Sequence, residues 1–281
     1  MQVTADLHTH SSASDGDLNP SQLVELAASK GLIAISLTDH DTLTGIPMAL
    51  ESGSRHAVDV IIGIEISAEY EPGMLHILGY FPVFPDGMEV DLERVQAARR
   101  ERIPRIVRKL NDLGVMLTEE DIIELAGEAQ IGRPHIAKVL LNKGYVSSFD
   151  EAFDEYLGKG KKAYVPKEKM TCEKAIGLIR NYRGLPVLAH PYTLHLEDAD
   201  LKSFIKELRQ WGLVGIEVYY PDHTPDDTTR YLHMAQEFGL LITGGTDFHG
   251  AHRKTVSLGD HGIDSTLLRS FCEHLKGPHT T

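Results

Sequence analysis

The chain has 281 residues and a formal net charge of −13, from 28 Lys and Arg against 41 Asp and Glu. That balance excludes a broad grip on long nucleic-acid duplexes, which depends mainly on neutralising phosphates. Its two cysteines, Cys172 and Cys272, are far apart and outside any C-x-x-C pattern, so they exclude a disulfide framework and a thiolate metal site. Both are expected to be buried, inert thiols.

In chain order, short β-branched runs predict strands at Val3–Leu7, Leu32–Leu37, Val58–Ile64, Leu75–Tyr80, Leu185–Ala189, Val214–Tyr219 and Leu240–Thr243. Helical patterns lie between several of them. Pro20–Lys30 has Asn19 as its N-cap and Gly31 just past its end, and similar signals mark Thr171–Arg183 and Pro225–Phe238. The alternation predicts an α/β fold with a largely parallel sheet, and seven strands favour a barrel. Residues 88–170 break the rhythm and carry 15 Lys and Arg against 15 Asp and Glu, so the net negative charge lies outside them. Helices are expected there at Met88–Leu113, with Pro104 as a kink or division, and at Thr118–Ala126, Pro134–Lys143 and Phe149–Leu157. The glycine- and lysine-rich exit from Gly158 to Pro166 reads as a mobile connection. The expected division is a barrel in two parts, residues 1–87 and 166–281, around a helical insert at 88–165. No basic leader with an apolar stretch opens the chain and no run is long enough to span a membrane, so a cytoplasmic location is expected.

The chemistry gathers where strands end. His8 and His10 form an H-x-H at the end of the first strand, on one side of an extended segment. Later strands end in Thr38-Asp-His-Asp41, Gly63-Ile-Glu65, Ala189-His-Pro191, Gly215-Ile-Glu217 and Gly245-Thr-Asp-Phe-His249. A charged or imidazole side chain directly after an apolar strand is costly unless it is paired, ligated or solvated. Its recurrence points to one shared site at the strand ends.

The ordered runs D-L-H-T-H-S, T-D-H-D, G-I-E, A-H-P and G-T-D-F-H resemble the motifs of the PHP family, named for its polymerase-associated and histidinol-phosphatase members. The resemblance covers residues 1 to about 85 and about 165 to 255. It implies a distorted (β/α)7 barrel with an all-helical inserted subdomain, three divalent metals and phosphate-ester hydrolysis. Carried over residue by residue, His8, His10, Glu65 and Asp247 hold the first metal. Glu65 bridges to a second held by His76 and His190, and Asp15, His40 and His249 hold the third. Some members carry histidine where this chain has Asp15, which favours a harder metal. Nitrogen and oxygen donors without thiolate suit manganese, zinc or iron, and manganese is the expected ion.

The sequence Gly132-Arg-Pro-His135 resembles the branch that includes nucleoside 3',5'-bisphosphate phosphatases and exonucleases acting on short oligonucleotides. The expected partner is therefore a small phosphorylated substrate, with the 3'-phosphate of a nucleoside 3',5'-bisphosphate as the group removed. Arg133 starts a predicted helix, where backbone N–H groups favour an anion, and Arg133 and His135 would bind the phosphate that is not hydrolysed. The charge-neutral insert would then act as a lid. His223 is expected to bind the phosphate or protonate the leaving oxygen, and Asp41 is a second candidate catalytic residue. Asp39 or Asp41 would orient an imidazole. Glu217 reads as structural, and His56, His195, His233, His252, His261, His274 and His279 as ordinary histidines. The competing readings are a C–N hydrolase, since related barrels open with H-x-H, and a non-catalytic module stabilised by metal.

Overall fold

The computed structural model describes residues 2–127, 131–166, 169–250 and 255–277. Its strands are β1 (Ala5–Thr9), β2 (Ala34–Leu37), β3 (Asp59–Ala68), β4 (Leu75–Phe81), β5 (Leu185–Leu188), β6 (Gly215–Tyr219) and β7 (Leu241–Gly244), and they lie side by side in that order. All seven predicted strands are present. After β7 the chain returns to β1: Thr9 bridges Phe248, His10 N–H donates to Phe248 O at 2.9 Å, and Asp247 N–H donates to His8 O at 2.8 Å. The sheet is thereby nearly closed into a barrel. Gly245 permits this approach, because a methyl group there would lie 2.4 Å from His8 Cβ.

Two strands depart from expectation. β3 runs through Ala68, four residues past its predicted end, so Glu65 lies inside a strand. β4 is antiparallel to both β3 and β5, whereas the other four pairings are parallel. The connection between β3 and β4 covers only residues 69–74. It is too short for the dozen or more residues of a parallel crossover, so the chain folds back as a hairpin.

Strand alternation separates two apolar layers. Ile35, Leu37, Ile62, Ile64, Ile77, Leu188 and Ile216 pack outward with Leu23, Val24, Ile176, Ile205 and Met234 of the surrounding helices. These belong to α1 (Pro20–Ser29), α7 (Cys172–Asn181), α8 (Asp198–Trp211) and α9 (Pro225–Phe238), and α2 (Ile46–His56) adds Ile46 and Ala49. On the other face Leu7, Ile61, Leu78, Tyr80 and Val187 pack with Leu268 and Phe271 of α10 (Ser265–Lys276). Phe271 meets Tyr80 edge-on at 5.0 Å. Glu65 shares the strand face of Ile61, and His76 that of Leu78 and Tyr80. The barrel is therefore apolar at the α10 end and polar at the other.

Between β4 and α7 run α3 (Met88–Asp112), α4 (Glu119–Ala126), α5 (Arg133–Asn142), α6 (Phe149–Ala152) and a π-turn at Phe153–Leu157. Thr118 and Asp121 form a capping box for α4. Pro104 lies inside α3 without dividing it. Met88 and Leu92 of α3 belong to the barrel core, whereas Ile103, Ile106 and Leu110 join Ile122, Ile136, Leu140, Leu157 and Val165 in a separate core. The stretch expected to be a mobile connection is packed instead. Ala163 and Val165 are buried, Ala163 N–H donates to Tyr156 O at 2.9 Å, and Lys109 Nζ donates to Tyr164 O at 2.7 Å. Apolar burial outweighs the freedom of Gly158 and Gly160 there.

Cys172 is buried and its thiol is pushed up to about 12 by burial, while Cys272 is only half-buried, contrary to expectation. Among the described residues, no helix is long and apolar enough to cross a membrane.

Candidate metal centre

Glu65 stands at the centre of the polar end. Its Oε1 is 2.7 Å from His76 Nδ1 and 3.0 Å from His190 Nε2, and its Oε2 is 3.3 Å from His10 Nε2 and 3.0 Å from His40 Nδ1. Asp247 Oδ1 lies 3.0 Å from His10 Nε2 and 3.4 Å from His8 Nε2. Asp15 Oδ1 is 3.3 Å from His249 Nε2, and Asp15 Oδ2 is 3.9 Å from His40 Nε2. The structure thus brings together all nine residues expected to bind metal. Among the described residues, three sets can each offer ligand atoms within 4.8 Å of one another: His8, His10, Glu65 and Asp247; His10, Asp15, His40 and His249; and His40, Glu65 and His76.

These residues fit divalent cations. His8 Nε2, both ring nitrogens of His10, His40 Nδ1 and Glu65 Oε2 are buried without a hydrogen-bond partner. An unsatisfied buried polar atom costs about 1–3 kcal/mol, and five at one point are tolerable only if something else satisfies them. Protonation follows the same logic. Burial opposes charge on His8, but Glu217, Glu65 and Asp247 outweigh it and hold its pKa well above the ordinary value. Burial likewise opposes charge on His10, yet the neighbouring Asp247 and Glu65 carboxylates raise it to about 10. Burial lowers His76 to about 3 despite the pull of Glu65. Against the cost of burial, neighbouring imidazoles keep Asp15, Glu65 and Asp247 well below the carboxylate range. The carboxylates demand compensating positive charge, and the donor set is one that divalent metals accept.

A surrounding set of hydrogen bonds aims the candidate ligands. Glu217 on β6 accepts from His8 Nδ1 at 3.0 Å and from His190 N–H at 2.8 Å, which makes it the orienting carboxylate. Asp39, by contrast, accepts from Ser11 N–H, Ser11 Oγ and Ser14 Oγ at 2.6–2.8 Å, so it shapes the 11–15 loop and does not orient an imidazole. Asp41 accepts from Ser67 N–H at 3.0 Å. Asp6 accepts from Thr246 N–H, Thr246 Oγ, Gly259 N–H and His8 N–H, which ties β1 to the loop that carries Asp247. Tyr220 Oη donates to Asp247 Oδ2 at 2.9 Å. Asp6, the first residue of the D-L-H-T-H-S run, and Tyr220, three residues before His223, were given no role of their own from sequence. Asp41, His190 and Asp247 have φ of 54°, 25° and 51°, a region that non-glycine residues enter at a cost of about 1–3 kcal/mol and mostly at functional sites.

The remaining expectations fall around this cluster. His223 Nδ1 donates to Val218 O at 2.8 Å, and its buried Nε2 has no hydrogen-bond partner. Burial lowers its pKa, so the neutral ring presents a lone pair at Nε2 and can donate there only when protonated. It packs against Tyr192, Tyr220 and Tyr231 and belongs to none of the three ligand sets. His135 Nδ1 accepts from Gly132 N–H at 3.0 Å, and with Pro134, Asp15 and Asp17 the residue lines a cavity of about 150 Å³ between α5 and the loop after β1. Arg133 Nη1 donates to Leu157 O at 3.0 Å, and its guanidinium lies over Phe153 and Tyr164. The structure thus places His135 beside Asp15 and Arg133 beside Tyr164. His252 and His279 lie outside the described residues.

Comparison with known proteins agrees with this geometry. The PHP domain family matches residues 6–165. A 5'-3' exoribonuclease of Haemophilus influenzae is 34% identical over 89% of this chain and 91% of its own length. A 3',5'-nucleoside bisphosphate phosphatase of Chromobacterium violaceum is 30% identical over 87% of this chain and 86% of its own. A solved structure assigned as a metal-dependent phosphoesterase, from Bifidobacterium adolescentis, superposes with a TM-score of 0.88 at 28% identity, covering 98% of this chain and 97% of that one. The chain belongs to the PHP family and is a metal-dependent phosphoester hydrolase.

Proposed function

We propose that the protein removes the 3'-phosphate of nucleoside 3',5'-bisphosphates and also acts as a 5'-3' exonuclease on short oligonucleotides, using three divalent cations, most fittingly manganese. The observation that carries this reading is the set of buried, unsatisfied donor atoms around Glu65. The names of the 30% and 34% identical relatives support the substrate class.

In this proposal His8, His10, Glu65 and Asp247 hold the first cation. Glu65, His76 and His190 hold the second, and Asp15, His40 and His249 the third. Cations bound there supply positive charge for the phosphoryl oxygens and acidify water near neutral pH. The chain's own part is orientation: Glu217 fixes the tautomer of His8, Tyr220 holds Asp247, and Asp39 shapes the loop that presents Asp15. Asp41 braces the turn after His40 through Ser67. His223 acts as an acid only once protonated, a state that its burial disfavours. The helices α3 to α6 form a lid over the pocket, with His135 facing Asp15 and Arg133 presenting a fork that can grip a second phosphate.

The test is a panel of nucleoside bisphosphates, short 5'-phosphorylated oligonucleotides, aryl phosphates and amides. Chelation should remove phosphate release, and manganese should restore it more fully than magnesium, which prefers oxygen ligands and retained waters. Equal restoration by magnesium at low concentration would mean that the histidine-rich site has been misread. Turnover of amides alone would replace this reading with C–N hydrolysis, and no turnover of any compound would favour a non-catalytic module.

A further inference from the structure

One helix serves both cores of the molecule. α3 buries Met88 and Leu92 in the barrel and Ile106 and Leu110 in the core of the insert, so its first turns are fixed to the barrel. What they meet there is the turn after His40. Gln96 Nε2 donates to Asp41 O at 3.0 Å and to Glu89 Oε2 at 2.7 Å. Glu89 Oε1 accepts from Thr42 Oγ1 at 3.0 Å and from Leu43 N–H. A carbonyl and a carboxylate only accept, so the Gln96 amide stands with its NH2 group toward both.

The turn needs that support. His40 is joined to β3 by an isolated bridge to Glu65, with Asp41 N–H donating to Glu65 O at 3.0 Å. The chain then enters the left-handed region at Asp41, whose φ of 54° is a strained value for a residue other than glycine. Ser67 N–H holds one side of the turn through the Asp41 carboxylate at 3.0 Å, and α3 holds the other. Thr42 and Leu43 are buried, so the N–H of Leu43 depends on a protein acceptor, and Glu89 is that acceptor. His40 meanwhile has to keep Nδ1 at 3.0 Å from Glu65 Oε2 and Nε2 at 3.9 Å from Asp15 Oδ2. A working site tolerates an error of only about 0.5 Å in such a placement.

We propose that Glu89 and Gln96 are positioning residues for His40, so that α3 belongs to the scaffold of the metal centre as well as to the lid. The inference rests on the proposed role of His40 as a cation ligand. Neither side chain touches a cation or the substrate. They act through the backbone of residues 41–43, whose polar groups they hold, and the site for the cation of Asp15, His40 and His249 is incomplete without them.

Four variants test this through their hydrogen bonds. Gln96→Met keeps the length of the side chain and removes both donated bonds, whereas Gln96→Lys keeps a donor that can reach the same two oxygens. Glu89→Gln keeps an acceptor for Leu43 N–H but turns an NH2 group toward that of Gln96, which breaks the link to Asp41 O without loss of volume. Tyr182→Phe is the control, because it removes a different contact of α3, the 2.8 Å bond from Tyr182 Oη to Asp91 Oδ2. Manganese content is read by elemental analysis, affinity by calorimetric titration of manganese into chelator-treated protein, and the fold by circular dichroism. Gln96→Met and Glu89→Gln should each weaken one class of manganese site by about 10-fold, the lower end of the range for groups behind a ligand, with the fold unchanged. Gln96→Lys and Tyr182→Phe should bind manganese as wild type does. A side chain that only fills space would tolerate Met better than Lys, so weaker binding in Gln96→Lys than in Gln96→Met overturns the inference. Unchanged affinity in both Gln96→Met and Glu89→Gln, or an equal loss in Tyr182→Phe, overturns it as well. His40→Ala separates the two ways of failing. If it loses one cation while Gln96→Met and Glu89→Gln lose no affinity, His40 is a ligand that α3 does not position. If it loses none, the role of His40 as a ligand fails, and its positioning by α3 fails with it.

Discussion

Glu65 and Lys138 carry opposite charges in opposite settings. Glu65 is 1% exposed, lies inside a strand of the barrel and has an imidazole on every side. Lys138, on α5, is 40% exposed and reaches 2.9 Å to Asp17 of the barrel. The first arrangement is fixed by strand alternation and burial, so moving one side chain strands others without partners. The second is a surface ion pair, typically worth about 0.2–1 kcal/mol. The same contrast separates the barrel end as a whole from helices α3 to α6. The barrel presents side chains locked by packing. The helices have a core of their own and touch the barrel through contacts such as Lys138 with Asp17, Gln96 with the Asp41 carbonyl, Lys159 with Glu71 and Tyr182 with Asp91. Chemistry needs positions fixed to a fraction of an ångström, whereas selection of substrate can be carried by groups that are less tightly held.

The contrast can be broken first at the barrel. Asp247→Asn and His8→Ala should each reduce hydrolysis to the level of chelated protein, with metal content lost by elemental analysis and circular dichroism unchanged. Full activity in either metal-loaded variant would sink the ligand assignment. At the other region, Leu140→Ala removes a buried side chain from the helical core and should cost about 2–5 kcal/mol there. Hydrogen exchange should then accelerate through α3 to α6 while the strands stay protected, and equal acceleration in both would show that the two cores unfold as one. Glu217→Gln removes the charge that holds His8 and His190 in place. It should lower metal affinity or activity by about 10- to 100-fold, the usual range for a group behind a ligand, and a titration with manganese reads this directly. The smallest and most selective effect is expected from Arg133→Ala. Loss of one charge-assisted contact, about 1.5–3 kcal/mol, should fall on a nucleoside 3',5'-bisphosphate and spare an aryl phosphate. An equal loss in kcat/KM on both would eliminate the clamp.

Much of this molecule was legible locally. Asn19 caps α1 as predicted, and Thr118, Thr171 and Thr224 cap α4, α7 and α9 at or next to the predicted helix starts, because a cap depends on residues three apart. The strands were legible because short β-branched apolar runs stand out between helical stretches. The direction of β4 was not read, although the short Tyr70-Glu-Pro-Gly-Met74 connection carries the signal. His76 accordingly stands near the start of its strand and not at its end, and only resemblance to a family pointed to it. The Gly158 to Pro166 stretch misled because composition describes an isolated segment, and its apolar residues found a core.

The sequence by itself determined the kinds of atom available to the site: imidazoles and carboxylates at the ends of apolar strands, with no thiolate among them. Tertiary structure decided which of these atoms meet and which supports stand behind them. Glu217 holds His8 from 209 residues away, Asp6 holds Thr246 from 240, and Gln96 holds the Asp41 carbonyl from 55. Periodicity and caps are short-range properties and survive in any window of the sequence. A contact across the barrel exists only once closure has paired its strands, so no local pattern encodes it.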